Sequence, residues 1–165
     1  MSDTTTPQEA AIAGPEYVHW RGELLAQLAL SRVPSLIVYQ SPAQHEYDFL
    51  VSTKTGFCFF VEVKALSSIR EKIRNIDTVE ELRWRVSKEL VTRANESRSP
   101  VVLFLFDADT DHGRFLRLDT LPSMPTSGQL QTVRFPITNV ISKDRLEEFV
   151  KELERHSEAG QGERT

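Results

Sequence analysis

The sequence has very little cysteine: Cys58 is the only one among 165 residues. A single thiol excludes an internal disulfide and a zinc site built from cysteines, and it fits a reducing, cytoplasmic setting. No apolar run approaches the roughly 20 residues that a helix needs to cross a bilayer, so we expect no membrane partner. The first residues lack a basic segment followed by an apolar stretch, so we also expect no secretory signal.

The chain also lacks a large excess of either positive or negative charge. The chain carries 20 basic and 24 acidic side chains, a formal net charge of −4, which argues against a protein that coats nucleic acid non-specifically. The eight basic and six acidic side chains between residues 67 and 98 nevertheless give that stretch +2, against −6 for the remainder. This local excess favours a polyanion partner, whereas a solvated helix face with ion pairs is the alternative interpretation.

The length predicts one domain, because domains average about 150 residues. Apolar side chains make up 39% of the chain, enough for a sizeable core. Residues 1–14 and 157–165 are polar and show no periodicity, which predicts two disordered tails. The single domain is therefore expected over residues 15–156.

The first part of that domain predicts a helix followed by three strands. The helix should run from Pro15 to about residue 32, with Trp20, Leu24 and Leu28 on its apolar face and Glu23 along one edge of that face. A short apolar strand at 35–40 follows. Two further apolar runs, at 47–51 and 57–64, are joined by a short loop ending in Gly56, which predicts a β-hairpin.

The second part adds a helix, three strands and a final helix. Thr78 and Glu81 have the spacing of a capping box, which predicts a helix from there to about residue 95. The run 101–106 has the continuous apolar character of a strand buried on both faces. The remaining segments are strands at 113–118 and 133–138, the second an edge strand because it contains Pro136, and a helix at 142–156. The order α, β, β-hairpin, α, β, β, β, α predicts an α/β protein.

The hairpin carries the residues with the clearest chemistry. If Lys54-Thr55-Gly56 forms a three-residue loop, Asp48 lies opposite Glu62, and both share a sheet face with Lys64. Charged groups in an apolar hairpin are costly unless a partner compensates them. A strand-end ion pair is one explanation. A divalent cation between the two carboxylates is the other, and Mg²⁺, which takes one or two carboxylates and keeps several waters, is the natural candidate.

Glu23 on a first helix, then Asp48, then the Glu62-Val63-Lys64 run on the next strand resemble the motif of the PD-(D/E)XK nuclease superfamily. The similarity is to its small Holliday-junction-resolvase-like and restriction-endonuclease-like members and covers residues 21–106. The resemblance implies an α/β fold with a restriction-endonuclease-like mixed central sheet flanked by helices. Its order is α-β-β-β-α-β, followed by extra strands and a C-terminal helix.

The resemblance also implies the roles of the residues. Asp48 and Glu62 would hold Mg²⁺, with Mn²⁺ as a substitute, Lys64 would orient the attacking water, and Glu23 would support the site. The implied activity is metal-dependent endonucleolytic hydrolysis of DNA phosphodiester bonds. Tyr47 stands where the family has a nominal Pro, and the glutamine-tyrosine helix signature of one branch is absent after Lys64.

Three basic residues are candidate contacts to the DNA backbone: Arg83, Arg85 and Lys88. A chain of this size has no separate recognition domain, so sequence specificity would need a homodimer or a partner protein. The alternative function is a catalytically inactive module that keeps the nuclease fold for binding nucleic acid or protein, as in a repair or defence assembly. Metal binding by Asp48 and Glu62 would distinguish the two.

Overall fold

The computed structural model describes residues 15–41, 46–122 and 128–162. The predicted tail at 1–14 lies outside these ranges, as do residues 163–165. The helices are α1 Pro15–Ser31, α2 Ser68–Glu71, α3 Lys88–Glu96 and α4 Lys143–Gly162. The strands are β1 Leu36–Gln40, β2 Phe49–Thr53, β3 Cys58–Leu66, β4 Leu82–Ser87, β5 Val101–Asp107, β6 Gly113–Arg117 and β7 Leu130–Phe135.

Five strands form the central sheet, in the order β1-β2-β3-β5-β6. The β3–β5 pair is parallel and the other pairs are antiparallel, so the sheet is mixed. Strand β5 is buried along its whole length, as its continuous apolar run predicts. The structure therefore confirms the predicted class, an α/β fold with a mixed central sheet flanked by helices, extra strands and a C-terminal helix. The elements α1, β1, β2, β3, α3 and β5 follow the predicted order, with α2 and β4 inserted before α3.

Two apolar clusters cover the two faces of this sheet. On one face, the odd-numbered side chains of β3 from Phe59 to Val63 pack with α1 and α4. On the other face, Leu103 and Leu105 of β5 pack with α3 and with a separate two-stranded ribbon of β4 and β7. None of the helices in the described ranges combines the length and apolar character that a membrane span requires.

The helix predicted over residues 78–95 is wrong in its first half. Residues 82–87 form β4, which pairs antiparallel with β7, and only α3 at 88–96 is helical. The side chain of Ser87 caps α3 by accepting a hydrogen bond from the amide of Leu90 at 3.1 Å. Arg83 and Arg85 therefore lie on a strand and Lys88 begins the helix, instead of all three lying on one helix.

The predicted apolar face of α1 is also wrong. Trp20, Leu24 and Leu28 are exposed by 57%, 44% and 50%. The buried side of α1 carries Val18, Gly22, Ala26 and Leu30. A Cβ on Gly22 would lie 2.7 Å from the Cβ of Ala65 on β3, so the helix packs so closely on the sheet that only glycine fits at this contact.

One strand prediction differs in detail, and the last helix is longer than predicted. Strand β7 ends at Phe135, directly before Pro136, and belongs to the two-stranded ribbon instead of the main sheet. Helix α4 continues through Gly162, past the predicted end at residue 156, so the first part of the expected tail at 157–165 is helical. The amide of Arg145 donates to the Ser142 hydroxyl at 3.2 Å, as a capping residue requires.

Candidate active site

The hairpin has the register predicted from its turn. Phe49 pairs with Val61 and Val51 with Phe59, and Asp48 directly precedes this paired stretch. The turn closes as expected, with Gly56 at a φ of 87° in the left-handed region. The Asp48 carboxylate accepts a hydrogen bond from the amide of Val63, the residue after Glu62, so the structure brings the side chains of Asp48 and Glu62 close together.

Asp48 stands at the end of β2 and extends the hydrogen-bonding ladder. Its amide donates to the carbonyl of Val61 at 3.1 Å, and its carboxylate Oδ2 accepts from the amide of Val63 at 2.6 Å. The backbone of β3 therefore fixes the position of this carboxylate beside Glu62. A carboxylate held this way contributes both to the hairpin and to the local negative charge.

Glu62 is a buried acid in an apolar strand. Only 12% of its side chain is exposed, and Leu103 of β5 lies directly beside it. Burial raises the pKa of Glu62 above its ordinary value, and the charge of Asp48 raises it further, while Lys64 and Arg93 act in the opposite direction. Ionised Glu62 is therefore more costly here than an exposed glutamate, and a bound cation would offset this cost.

Lys64 lies on the same face, two residues along β3. Its Nζ is 2.6 Å from Oε1 of Glu62, and 37% of its side chain is exposed. The ammonium group is therefore accessible to solvent while it pairs with the buried acid. Two carboxylates against one ammonium leave the cluster with a net negative charge, and this donor set fits Mg²⁺ or Mn²⁺, which bind through one or two carboxylates and retain water.

The structure does not bring Glu23 into this cluster. Glu23 lies on α1, which packs against the opposite face of β3, and its Oε1 is 3.0 Å from Nε2 of His19. Within the described ranges no group of three or more histidine, cysteine, aspartate or glutamate side chains is arranged to hold a metal ion. The protein ligands that the described residues offer are thus the two carboxylates of the hairpin.

Two of the basic candidates, Arg83 and Arg85, lie on the β4–β7 ribbon, which packs against the sheet face that holds Glu62 and Lys64, and Lys88 begins α3. Arg83 and Arg85 are exposed on the outer face of β4, and Trp84 between them packs inward against the second apolar cluster. Arg134 of β7, which the sequence analysis did not select, lies directly across from Arg83. Arg83 pairs with Glu81, and Arg134 lies 3.8 Å from the same carboxylate.

Sequence reasoning also missed Arg93 and Tyr47. Arg93 is on α3, and its charge lowers the pKa of Glu62. Tyr47 directly precedes Asp48 and stacks on Phe60, with ring centroids 5.0 Å apart. The position of Tyr47 beside Asp48 was the only sequence signal for either residue.

No protein-family model matches the chain, and no curated protein matches it. Among solved structures, the chain is similar to Hjc, a Holliday junction resolvase from the archaeal hyperthermophile Archaeoglobus fulgidus. The two sequences are 14% identical, and the similarity covers 68% of this chain and 85% of that chain with a TM-score of 0.41.

Proposed function

We propose that this protein is a metal-dependent nuclease that hydrolyses phosphodiester bonds of DNA. The observation that carries the proposal is the Asp48 carboxylate bound to the amide of Val63, next to the Glu62–Lys64 ion pair. A buried acid whose pKa is raised by burial beside a second carboxylate is the kind of group that functional sites concentrate. Mg²⁺ is the proposed cofactor, with Mn²⁺ as a substitute.

Each residue has a distinct proposed role. Asp48 and Glu62 hold the cation, which, when bound, would lower the pKa of a coordinated water and polarise a phosphate oxygen. Lys64, partly exposed beside Glu62, orients the attacking water and offsets the negative charge that develops on the phosphate. Glu23 lies on the other face of β3 and is left out of the proposed site. Arg83, Arg85 and Lys88 contact the DNA backbone, with a homodimer or a partner protein supplying specificity.

One observation favours the second candidate, a catalytically inactive binding module. The Asp48 carboxylate already accepts the amide of Val63, and the Lys64 ammonium already pairs with Glu62. A hairpin whose charged groups have protein partners could keep the fold without holding a cation.

The test is cleavage of supercoiled plasmid and of branched DNA with Mg²⁺ or Mn²⁺. We expect wild-type protein to cleave and Asp48→Asn and Lys64→Ala to lose about 100-fold or more of the rate. The asparagine keeps an acceptor for the Val63 amide, so the hairpin stays formed. Lys54→Ala, in the turn of the same hairpin, and Asp144→Asn, in the first turn of α4, are matched controls and should cleave normally.

Thermal unfolding with and without metal separates the two candidates. A ligand that binds only the folded state raises the melting temperature, so Mg²⁺ should stabilise the wild type and not Asp48→Asn. If the wild type neither cleaves DNA nor is stabilised by metal, the nuclease proposal is refuted and the binding module is favoured. Cleavage that persists in both site variants would refute this site.

A further inference from the structure

A cleft of about 310 Å³ opens beside the candidate site. Tyr47 and Phe60 form an aromatic wall, and Arg93, Glu46 and Glu96 supply charged groups. Tyr47 directly precedes Asp48, and the charges of Arg93 and Glu62 both act on its hydroxyl. The cleft is therefore adjacent to the Asp48–Glu62 pair and opens on the same side of the sheet.

Two polar groups of the cleft lack partners. Tyr47 is only 7% exposed, yet its hydroxyl has no hydrogen-bond partner among the described residues. The Nε of Arg93 is likewise buried and unpaired within those residues. Since an unsatisfied buried polar group costs about 1–3 kcal/mol, two at one cleft indicate that a ligand supplies the missing partners.

The charges of the cleft indicate which ligand. A phosphate group would meet one guanidinium and the carboxylates of Glu46 and Glu96, so its charge would be repelled as well as attracted. An uncharged heterocycle with both donors and acceptors matches this lining. Its ring would lie against the aromatic wall of Tyr47 and Phe60, and such stacking contributes about 1–3 kcal/mol per base.

We propose that this cleft binds a nucleobase of the nucleic acid strand, turned out of its stack, and that guanine fits it best. Guanine offers O6 and N7 to an arginine, and its N1–H and N2–H₂ donors suit a carboxylate. Enzymes that read an unstacked base use this combination of stacking and edge hydrogen bonds. The proposal deepens the proposed nuclease function and rests on it, because the bound base would belong to the strand at the Asp48–Glu62 pair.

The test uses the full chain and free nucleosides, without metal and without cleavage. Backbone amide signals are followed by nuclear magnetic resonance during titration with each of the four deoxynucleosides and, separately, with inorganic phosphate. We expect saturable shifts at Phe60 and Arg93, tightest for deoxyguanosine. Arg93→Gln and Tyr47→Phe, which keeps the aromatic ring, should each weaken deoxyguanosine binding about tenfold, a change of about 1.4 kcal/mol.

Arg155→Gln, on the exposed surface of α4, is the control and should bind like the wild type. Absence of saturable shifts with any nucleoside, or shifts unchanged in Arg93→Gln, would overturn the proposal. Saturable shifts at the same amides with inorganic phosphate and none with nucleosides would overturn it in favour of a phosphate site. This experiment does not measure cleavage. Failure to bind nucleosides would therefore not refute the nuclease proposal, and failure to cleave DNA would not change the outcome of the binding experiment.

Discussion

The two faces of strand β3 differ in the polarity of their side chains and in what those side chains contact. On the face toward α1 and α4, Phe59, Val61 and Val63 are buried by at least 99% and surrounded by apolar side chains. On the other face, one step along the same strand, Glu62 and Lys64 form an ion pair beside Asp48. The alternation of side chains in a strand places the dry face and the charged face one residue apart.

The apolar face of β3 contributes to the stability of the fold, whereas the charged face carries the residues of the candidate site. The apolar face of β3 joins the sheet to two helices through Phe59, Val61 and Val63. The charged face carries a buried acid whose pKa is raised by burial, which costs stability. A substitution on each face should therefore change the free energy of unfolding in opposite directions.

The largest of these effects is expected for Val63→Thr. Threonine has nearly the shape of valine, so the change adds a hydroxyl without opening a cavity. Val63 is completely buried, and the unpaired hydroxyl should lower the free energy of unfolding by about 1–3 kcal/mol in urea titration. Val38→Thr, on the partly buried edge strand β1, is the matched control. An equal decrease in its free energy of unfolding would contradict the interpretation that water is excluded around Val63.

Glu62→Gln should have a smaller effect of opposite sign. Because the folded state raises the pKa of Glu62, it binds the proton more tightly than the unfolded chain does. The free energy of unfolding therefore falls as pH rises from the ordinary glutamate pKa through the folded value. Glutamine avoids this loss and should stabilise the protein at pH 7 by on the order of 1 kcal/mol.

The pH dependence checks the cause of that gain. Urea titrations of wild type and Glu62→Gln should converge below about pH 4, where the glutamate is protonated in both states. A gain that is independent of pH would mean that packing, and not desolvation of the carboxylate, explains it. A loss of stability at pH 7 would mean that the ion pair with Lys64 outweighs the burial of Glu62.

The smallest effect on stability is expected for Arg85→Ala, on the outer face of the β4–β7 ribbon. Its side chain is exposed, so the free energy of unfolding should change by less than about 0.5 kcal/mol. If Arg85 contacts a phosphate, the slope of log affinity for duplex DNA against log salt should fall by about 0.9. Fluorescence anisotropy across a salt series measures this slope, and the same slope as in Arg155→Ala would remove Arg85 from the DNA contacts.

Local chemistry determined the hairpin from the sequence by itself. The Lys54-Thr55-Gly56 turn needs a residue in the left-handed region at its end, and Gly56 supplies it. A turn of fixed length sets the register, and the register decides which side chains share a face. The pairing of the two hairpin strands could therefore be predicted before any tertiary contact was known, as could the doubly buried strand β5 from its unbroken apolar run.

The secondary structure of residues 78–87 was determined by tertiary contacts. Their spacing suits a helix, but β4 pairs with β7, whose residues lie more than forty positions away, and such non-local pairing overrides local propensity. The buried guanidinium of Arg114 also donates hydrogen bonds to the carbonyl of Val79 at 2.6 Å and to that of Asp77 at 3.0 Å, and these bonds fix the segment before β4. Neither contact has a signal in the local sequence.

The same reason explains α1 and the cleft. An apolar stripe predicts a buried face, but the close approach of Gly22 to Ala65 turned a different side of the helix inward and left Trp20 exposed. Tyr47, which lies just before β2, and Arg93 of α3 meet at one cleft because Tyr47 lies on the sheet face against which α3 packs. Sequence alone determined the charged hairpin, since a turn and a strand period are local, whereas the helix orientation and the cleft depend on which distant surfaces fit together.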